Sequence, residues 1–338
     1  MIETVLVTGG GGFVASWCVV TLLNQGYAVR ATLRDLDKAP AVLGMVEAAG
    51  APTERLSFVG ADLTRDAGWN AAAEGCAYVL HVASPLGSGE AALDRDAFVA
   101  PARDGTLRVL NAAVKAGVRR VVMTSAAATA RPPLNSGQTS DETVWADPDD
   151  PQFDAYRRSK ILAERAAWDF MRDQGGTTQF ATVLPGAVFG PVLTRDRPGS
   201  VAIIQGLLSG RPQGVPRLGL AIVDVRDLAD LHVRAMTTPE AAGQRFIAVG
   251  QFLWMKDVAR TLRERLGPRA ARVPTRELPD LVIRLLALFM PRMRMLVPVL
   301  GVRGDPSSAK ARRMLGFSPR PAAETIVDCA ESLLASGR

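Results

Sequence analysis

The stretch Val5-Leu6-Val7-Thr8-Gly9-Gly10-Gly11-Gly12-Phe13-Val14-Ala15 decides the fold. A short apolar run ends in four glycines. Ser16–Asn24 (SWCVVTLLN) then continues with helical spacing and closes at Gln25-Gly26, where Gly suits a helix C-terminus. Glycines at Gly9 and Gly12 permit a tight turn and close approach of backbone to a ligand. The following helix offers unpaired N–H groups and a positive dipole end, which suit a diphosphate. A glycine cluster alone is a weak signal. Its place after the first strand of a strand–helix alternation makes it a dinucleotide-binding loop.

The alternation continues outward. Val29–Leu33, Leu56–Val59, Tyr78–Val82, Arg120–Thr124 and Phe180–Leu184 read as strands. Gly105–Ala116 and Tyr156–Arg172 read as helices between them. This spacing predicts an α/β chain with a Rossmann-type, doubly wound parallel sheet. After Pro191 the pattern degrades and Pro and Gly become dense from Arg195 to Gly219. Lys256–Leu266 and Pro279–Met290 then read as helices. The expected division is residues 1–190, with returning segments around 220–250, and a smaller, mostly helical substrate region over 191–338. The apolar stretch Leu281–Val299 is either a lid for an apolar or aromatic substrate or a core helix of that smaller region.

Composition closes other routes. The 338 residues are 48% hydrophobic and 22% charged, the balance of a globular chain. Cys18, Cys76 and Cys329, with His81 and His232, show no metal-ligand spacing, so no metal site is expected. Neither is a disulfide framework, and the cysteine usage fits a reducing cytoplasm. MIETVLVTGG carries no signal-peptide pattern, and Arg284 and Pro291 cut the longest apolar run short of a membrane span. The net charge of +6 comes from scattered arginines with no basic cluster, so no nucleic-acid partner is expected. The positive field suits an anionic small ligand.

Four further features bear on chemistry. Arg34, directly after the second strand, with Lys38 four residues on, is placed to take a ribose 2′-phosphate. Asp35 is an alternative ligand for the ribose hydroxyls. Asp62-Leu63 follows the third strand, where an acid can accept from an adenine amino group. Val82-Ala83-Ser84 ends the fourth strand with residues small enough to leave room for a cofactor; His81 reads as structural. Tyr156 and Lys160 stand one turn apart on a helix face, in a chain with only 3 Tyr. A neighbouring ammonium and a nicotinamide cation favour phenolate and lower the Tyr156 pKa, so that Tyr156 can exchange a proton with a carbonyl oxygen.

VTGGGGFVASW, RATLRD, GADL, VLHVASP, GTLRVLNAA, RRVVMTSAAATA, DETVW, YRRSKILAERAAW and PGAVFGP, in this order, resemble the extended short-chain dehydrogenase/reductase family. The branch is the dihydroflavonol-4-reductase-like group with its bacterial aldehyde or carbonyl reductases. The resemblance covers nearly the whole chain. It implies NADP(H) held by Thr8, Gly9, Gly11, Gly12, Phe13 and Val14, with Arg34 on the 2′-phosphate. It implies Tyr156 and Lys160 in catalysis, and Pro185, Val188 and Ser200 along the nicotinamide and phosphates. The substrate implied is a small carbonyl or alcohol, and the chain a monomer or homodimer. A sugar-nucleotide epimerase or dehydratase, and a non-catalytic NADP-binding protein, are the competing readings. One position departs from the pattern. The family's second strand-five Ser is Ala126 here, so Ser125, Thr129 or a water must orient the carbonyl. Ser125 is the catalytic candidate among them.

Overall fold

In a computed structural model, which describes residues 2–85, 96–134, 136–194, 199–211, 213–294 and 296–335, the chain forms ten strands among the described residues. These are β1 (Thr4–Val7), β2 (Ala28–Leu33), β3 (Leu56–Gly60), β4 (Tyr78–His81), β5 (Arg120–Thr124), β6 (Gln179–Pro185), β7 (Ala187–Phe189), β8 (Gly219–Asp224), β9 (Gln244–Ala248) and β10 (Phe252–Trp254). The helices are α1 (Phe13–Asn24), α2 (Ala39–Ala48), α3 (Trp69–Ala73), α4 (Val99–Lys115), α5 (Ala155–Asp173) and α6 (Val201–Ser209). They continue with α7 (Val225–Thr237), α8 (Met255–Leu266), α9 (Asp280–Phe289), α10 (Pro291–Arg294), α11 (Ala309–Leu315) and α12 (Ala322–Ala335). Residues 195–198, within the Pro- and Gly-dense stretch, lie outside the described residues.

Seven strands pair in the order β3-β2-β1-β4-β5-β6-β9, all parallel. This is the doubly wound sheet the alternation predicts. The chain winds outward in both directions from β1, so the connections leaving β1 and β4 diverge and open a crevice at their C-terminal ends. Parallel strands are buried on both faces and read as apolar runs. Accordingly α1 and α7 cover one face and α4 and α5 the other. A smaller sheet, β10-β8-β7, lies beside it. A second core of α6, α8 and α12 gathers there around Phe189, Ile204, Leu262 and Ile326.

Two helices start earlier than the sequence reading placed them, and the exposure of a third bears on a reading left open. α1 begins at Phe13 rather than Ser16, because Gly12 is extended (φ −84°, ψ 160°) and its carbonyl already accepts the Ser16 N–H at 2.8 Å. α4 begins at Val99 and carries Gly105 inside it. A Cβ on Gly105 would stand 2.7 Å from the Leu63 Cβ, so this glycine is a close-packing position and not a helix start. α9 does not pack as a core helix. Ile283 and Ala287 are buried, but Leu281 is 66% exposed and Phe289 83%.

Candidate active site

The glycine loop lies at the C-terminal end of β1, at the switch point of the sheet. Its shape is fixed by neighbours on both sides. Gly10 N–H donates to the Thr32 carbonyl at 3.0 Å, and Gly9 N–H to the Thr32 hydroxyl at 2.9 Å. The Thr8 hydroxyl accepts from the N–H groups of Val82 (3.0 Å) and Ala83 (2.9 Å), so its own proton goes to His81 Nδ1 at 2.9 Å. His81 Nε2 therefore carries the ring hydrogen and donates to Thr106 at 3.2 Å. Burial pushes the His81 pKa down to about 3, so the ring stays neutral and structural. Thr8 thus shapes the loop through a side chain with no solvent access.

The sequence reading singled out Gly9, Gly11 and Gly12 and passed over Gly10. Gly9 sits at φ +71°, a left-handed setting that favours glycine. Gly10 is the most tightly placed: a Cβ there would stand 2.6 Å from the Ala31 Cβ, whereas one on Gly11 finds ordinary contact. Gly12 offers no capping side chain, so the first N–H groups of α1 at Phe13 and Val14 have no side-chain cap.

The other expected cofactor residues fall along the same edge, at the ends of successive parallel strands. Arg34 leaves β2 exposed and makes no hydrogen bond among the described residues; Lys38 is also exposed. Asp35 turns its carboxylate back to accept the Asp37 N–H at 3.0 Å. Asp62 follows β3, and its carboxylate accepts the Thr64 N–H and hydroxyl, both at 2.8 Å. Those bonds, with Arg34 nearby, hold it below the usual carboxylate range. Leu63 packs under Gly105. Val82, Ala83 and the partly buried Ser84 leave β4. Pro185 closes β6, Val188 lies in β7, and Ser200 stands at the N-terminus of α6.

Tyr156 and Lys160 occupy the first turns of α5, which Asp154 caps by accepting the Arg157 N–H at 2.8 Å. The Lys160 ammonium lies 5.9 Å from the centre of the Tyr156 ring and donates to the Thr124 carbonyl, at the end of β5, at 3.0 Å. Burial brings the Lys160 pKa down to about 8, against the opposing charge of Glu164. The Tyr156 pKa moves opposite to the expectation from sequence. Burial first, then Asp154, pushes it up to about 12, against the opposing charge of Arg157. In the chain by itself Tyr156 is a phenol that holds its proton.

Neither replacement for the missing serine has a proton to offer. The Ser125 hydroxyl donates to Glu164 Oε2 at 2.5 Å. The Thr129 hydroxyl donates to the Ala126 carbonyl at 2.9 Å and accepts from Arg245 at 3.1 Å. Glu164 and Arg245 were not foreseen. Glu164 continues the Tyr156–Lys160 stripe by one more turn, a visible signal; its partner 81 residues away gave none. Arg245 also stacks on Trp145, 3.7 Å from the ring centre, leaving that ring 39% exposed.

The model of the NAD dependent epimerase/dehydratase family matches residues 5–250. This chain belongs to that family. As an epimerase/dehydratase-family member it is 39% identical over 272 residues to cinnamoyl-CoA reductase 1 of Oryza sativa subsp. japonica, covering 79% of this chain and 77% of that protein. It is 33% identical over 268 residues to dihydroflavonol 4-reductase of Dianthus caryophyllus, covering 78% and 73%. The yeast methylglyoxal/isovaleraldehyde reductase Gre2, solved with NADPH, superposes on this family member with a TM-score of 0.80 at 26% identity, over 99% of both chains.

Proposed function

We propose that this chain is an NADPH-dependent reductase that transfers hydride to an aldehyde or ketone, and oxidises the alcohol in reverse. The observation that carries the reading is the Tyr156–Lys160 pair, Lys160 buried and Tyr156 half-buried, at the same sheet edge as the Gly9–Gly12 loop. The reductase relatives and the NADPH-bound neighbour support it.

The residues present fit the cofactor. A Cβ would fill the cradle at Gly10, the α1 N-terminus has no side-chain cap, and the exposed Arg34 guanidinium makes no hydrogen bond among the described residues, with Asp62 as a nearby opposite charge. Backbone N–H groups of Gly11, Phe13 and Val14 would hold the diphosphate, while Gly9 and Gly12, whose N–H groups go to the Thr32 hydroxyl and the Gly9 carbonyl, would shape the loop around it. Arg34 and Lys38 would hold the 2′-phosphate, and Asp62 and Leu63 the adenine. Val82, Ala83 and Ser84 would underlie the cofactor, with Pro185, Val188 and Ser200 along the nicotinamide and phosphate side. When bound, NADPH supplies the hydride.

The chain's own residues supply the rest. Tyr156 arrives at the reaction protonated, the state needed to give a proton to a carbonyl oxygen. Lys160, charged at neutral pH and held by Thr124, stabilises the phenolate that results. Trp145 and the apolar face of α9 suit an apolar or aromatic substrate. Tyr156→Phe tests the assignment: NADPH binding persists while ketone reduction falls by about 10²–10⁴-fold. Near-native turnover in that variant overturns it. Arg34→Ala should weaken NADPH about tenfold or more and leave NADH unchanged, measured by cofactor titration.

A further inference from the structure

Glu164 has no solvent access, and neither of its oxygens is idle. Oε2 accepts from Ser125; Oε1 accepts the Thr182 hydroxyl and Arg245 Nε, both at 2.9 Å. Three further donors of Arg245 go to the carbonyls of Glu142 (2.9 Å) and Val144 (2.7 Å) and to the Thr129 hydroxyl. A buried ion pair of this kind is often no more stabilising than a well-packed apolar pair. Its placement gives it another use. Residues 124–129 run past Ala126, the position the family pattern gives to a substrate-facing serine. They are fastened at three points: Lys160 on the Thr124 carbonyl, Glu164 on Ser125 and Arg245 on Thr129.

We propose that the Glu164–Arg245 pair is the positioning element of this site: it locks the 124–129 segment against α5 and keeps a negative charge one helical turn from Lys160. The inference rests on the reductase reading only in placing Lys160 in the catalytic machinery. Three titratable groups bear on Lys160: Tyr156 and Glu164 from its own helix, and His81 from β4. His81 is neutral, so Glu164 supplies the one opposing charge among them. Arg245 exerts no resolved effect on Lys160. Ser125 is then a positioning residue, its proton spent on Glu164.

The test reads Lys160 directly, without cofactor or turnover. The chain has five lysines (Lys38, Lys115, Lys160, Lys256, Lys310), few enough for a titration of ε-carbon-labelled lysine by NMR, with Lys160→Arg identifying the signal. In Glu164→Gln the Lys160 midpoint should fall by about one pH unit or more, whereas Glu164→Asp should hold it near the wild-type value. Because Glu164→Gln strands a buried guanidinium, Glu164→Gln/Arg245→Met is the control that leaves no orphan charge, and it should show the same downward shift. In the enzyme assay Ser125→Ala should lower kcat several-fold with NADPH affinity unchanged. An unmoved Lys160 midpoint in the double variant, or unchanged kcat in Ser125→Ala, overturns the proposal. A wild-type chain that reduces no carbonyl overturns the reductase reading instead, and leaves the lysine titration standing.

Discussion

α1 and α9 are of similar apolar composition, FVASWCVVTLLN against DLVIRLLALF, yet they meet opposite fates. In α1, Cys18, Val19 and Leu22 have no exposure, and Trp17 donates to the Pro191 carbonyl at 2.8 Å. In α9 only Ile283 and Ala287 are buried. The helix is tied down by Arg217 on Asp280 at 2.5 Å, and by Arg294, which donates to the Ala287 and Leu288 carbonyls. The difference lies in connection and not in composition. α1 follows the interior strand β1 and packs on the sheet beside α7, whereas α9 follows no strand of the large sheet. Apolar residues permit burial, and the topology assigns it.

The sharpest way to probe the sealed region is pH. His81, at the end of the middle strand β4, and His232, in α7 against Thr124 of β5, are both buried, their pKa values brought down by burial to about 3 and about 4. The unfolded chain takes up these protons near pH 6.5 and the folded chain does not. Stability is therefore complete above pH 6.5 and lost as pH falls toward 4, by on the order of 5 kcal/mol from the two rings together. Urea midpoints that stay flat from pH 7 to 4.5 would show the rings to be less sealed than α1. Next in size, Leu22→Ala in α1 should cost about 2–5 kcal/mol by denaturant unfolding. Gly10→Ala should cost about 1–3 kcal/mol through its clash with Ala31 and should weaken NADPH, checked by calorimetric titration. The smallest effect belongs to α9: Phe289→Ser should change stability by less than about 0.5 kcal/mol. If α9 serves as a lid, the same variant raises KM for a bulky aromatic ketone and leaves a small aldehyde unaffected. A large stability loss in Phe289→Ser would erase the contrast between the helices.

The strands of the large sheet were legible because fully buried parallel strands write themselves as β-branched runs, and the glycine loop because it breaks the first of them. β9 was legible only as a returning segment. Its role depends on pairing with β6, Ala181 opposite Gln244, which no local pattern encodes. Four consecutive glycines likewise do not say which one faces β2; the register that sets Gly10 on Thr32 does. At the site, Tyr156 and Lys160 were visible as a helical spacing. The commitment of Ser125 was not, since it needs a carboxylate from α5 and a guanidinium from β9 to meet behind it. The rise of the Tyr156 pKa was missed for the same reason: burial is a tertiary property.

The late arrival of β9 has a consequence for biosynthesis. Between Pro185 at the end of β6 and Gln244 lie about sixty residues, roughly 3–12 s of translation at ~5–20 residues per second. Through that interval β6 is an open sheet edge carrying Phe180, Val183 and Leu184, and α1 lacks the cover of α7 for most of it. A nascent chain paused here displays a hydrogen-bonding edge to any neighbouring polysome product, the situation that invites strand-to-strand aggregation. A fragment cut at residue 190 would hold that state permanently. The sheet that carries the site is thus finished only once the chain has been made as far as Ala248.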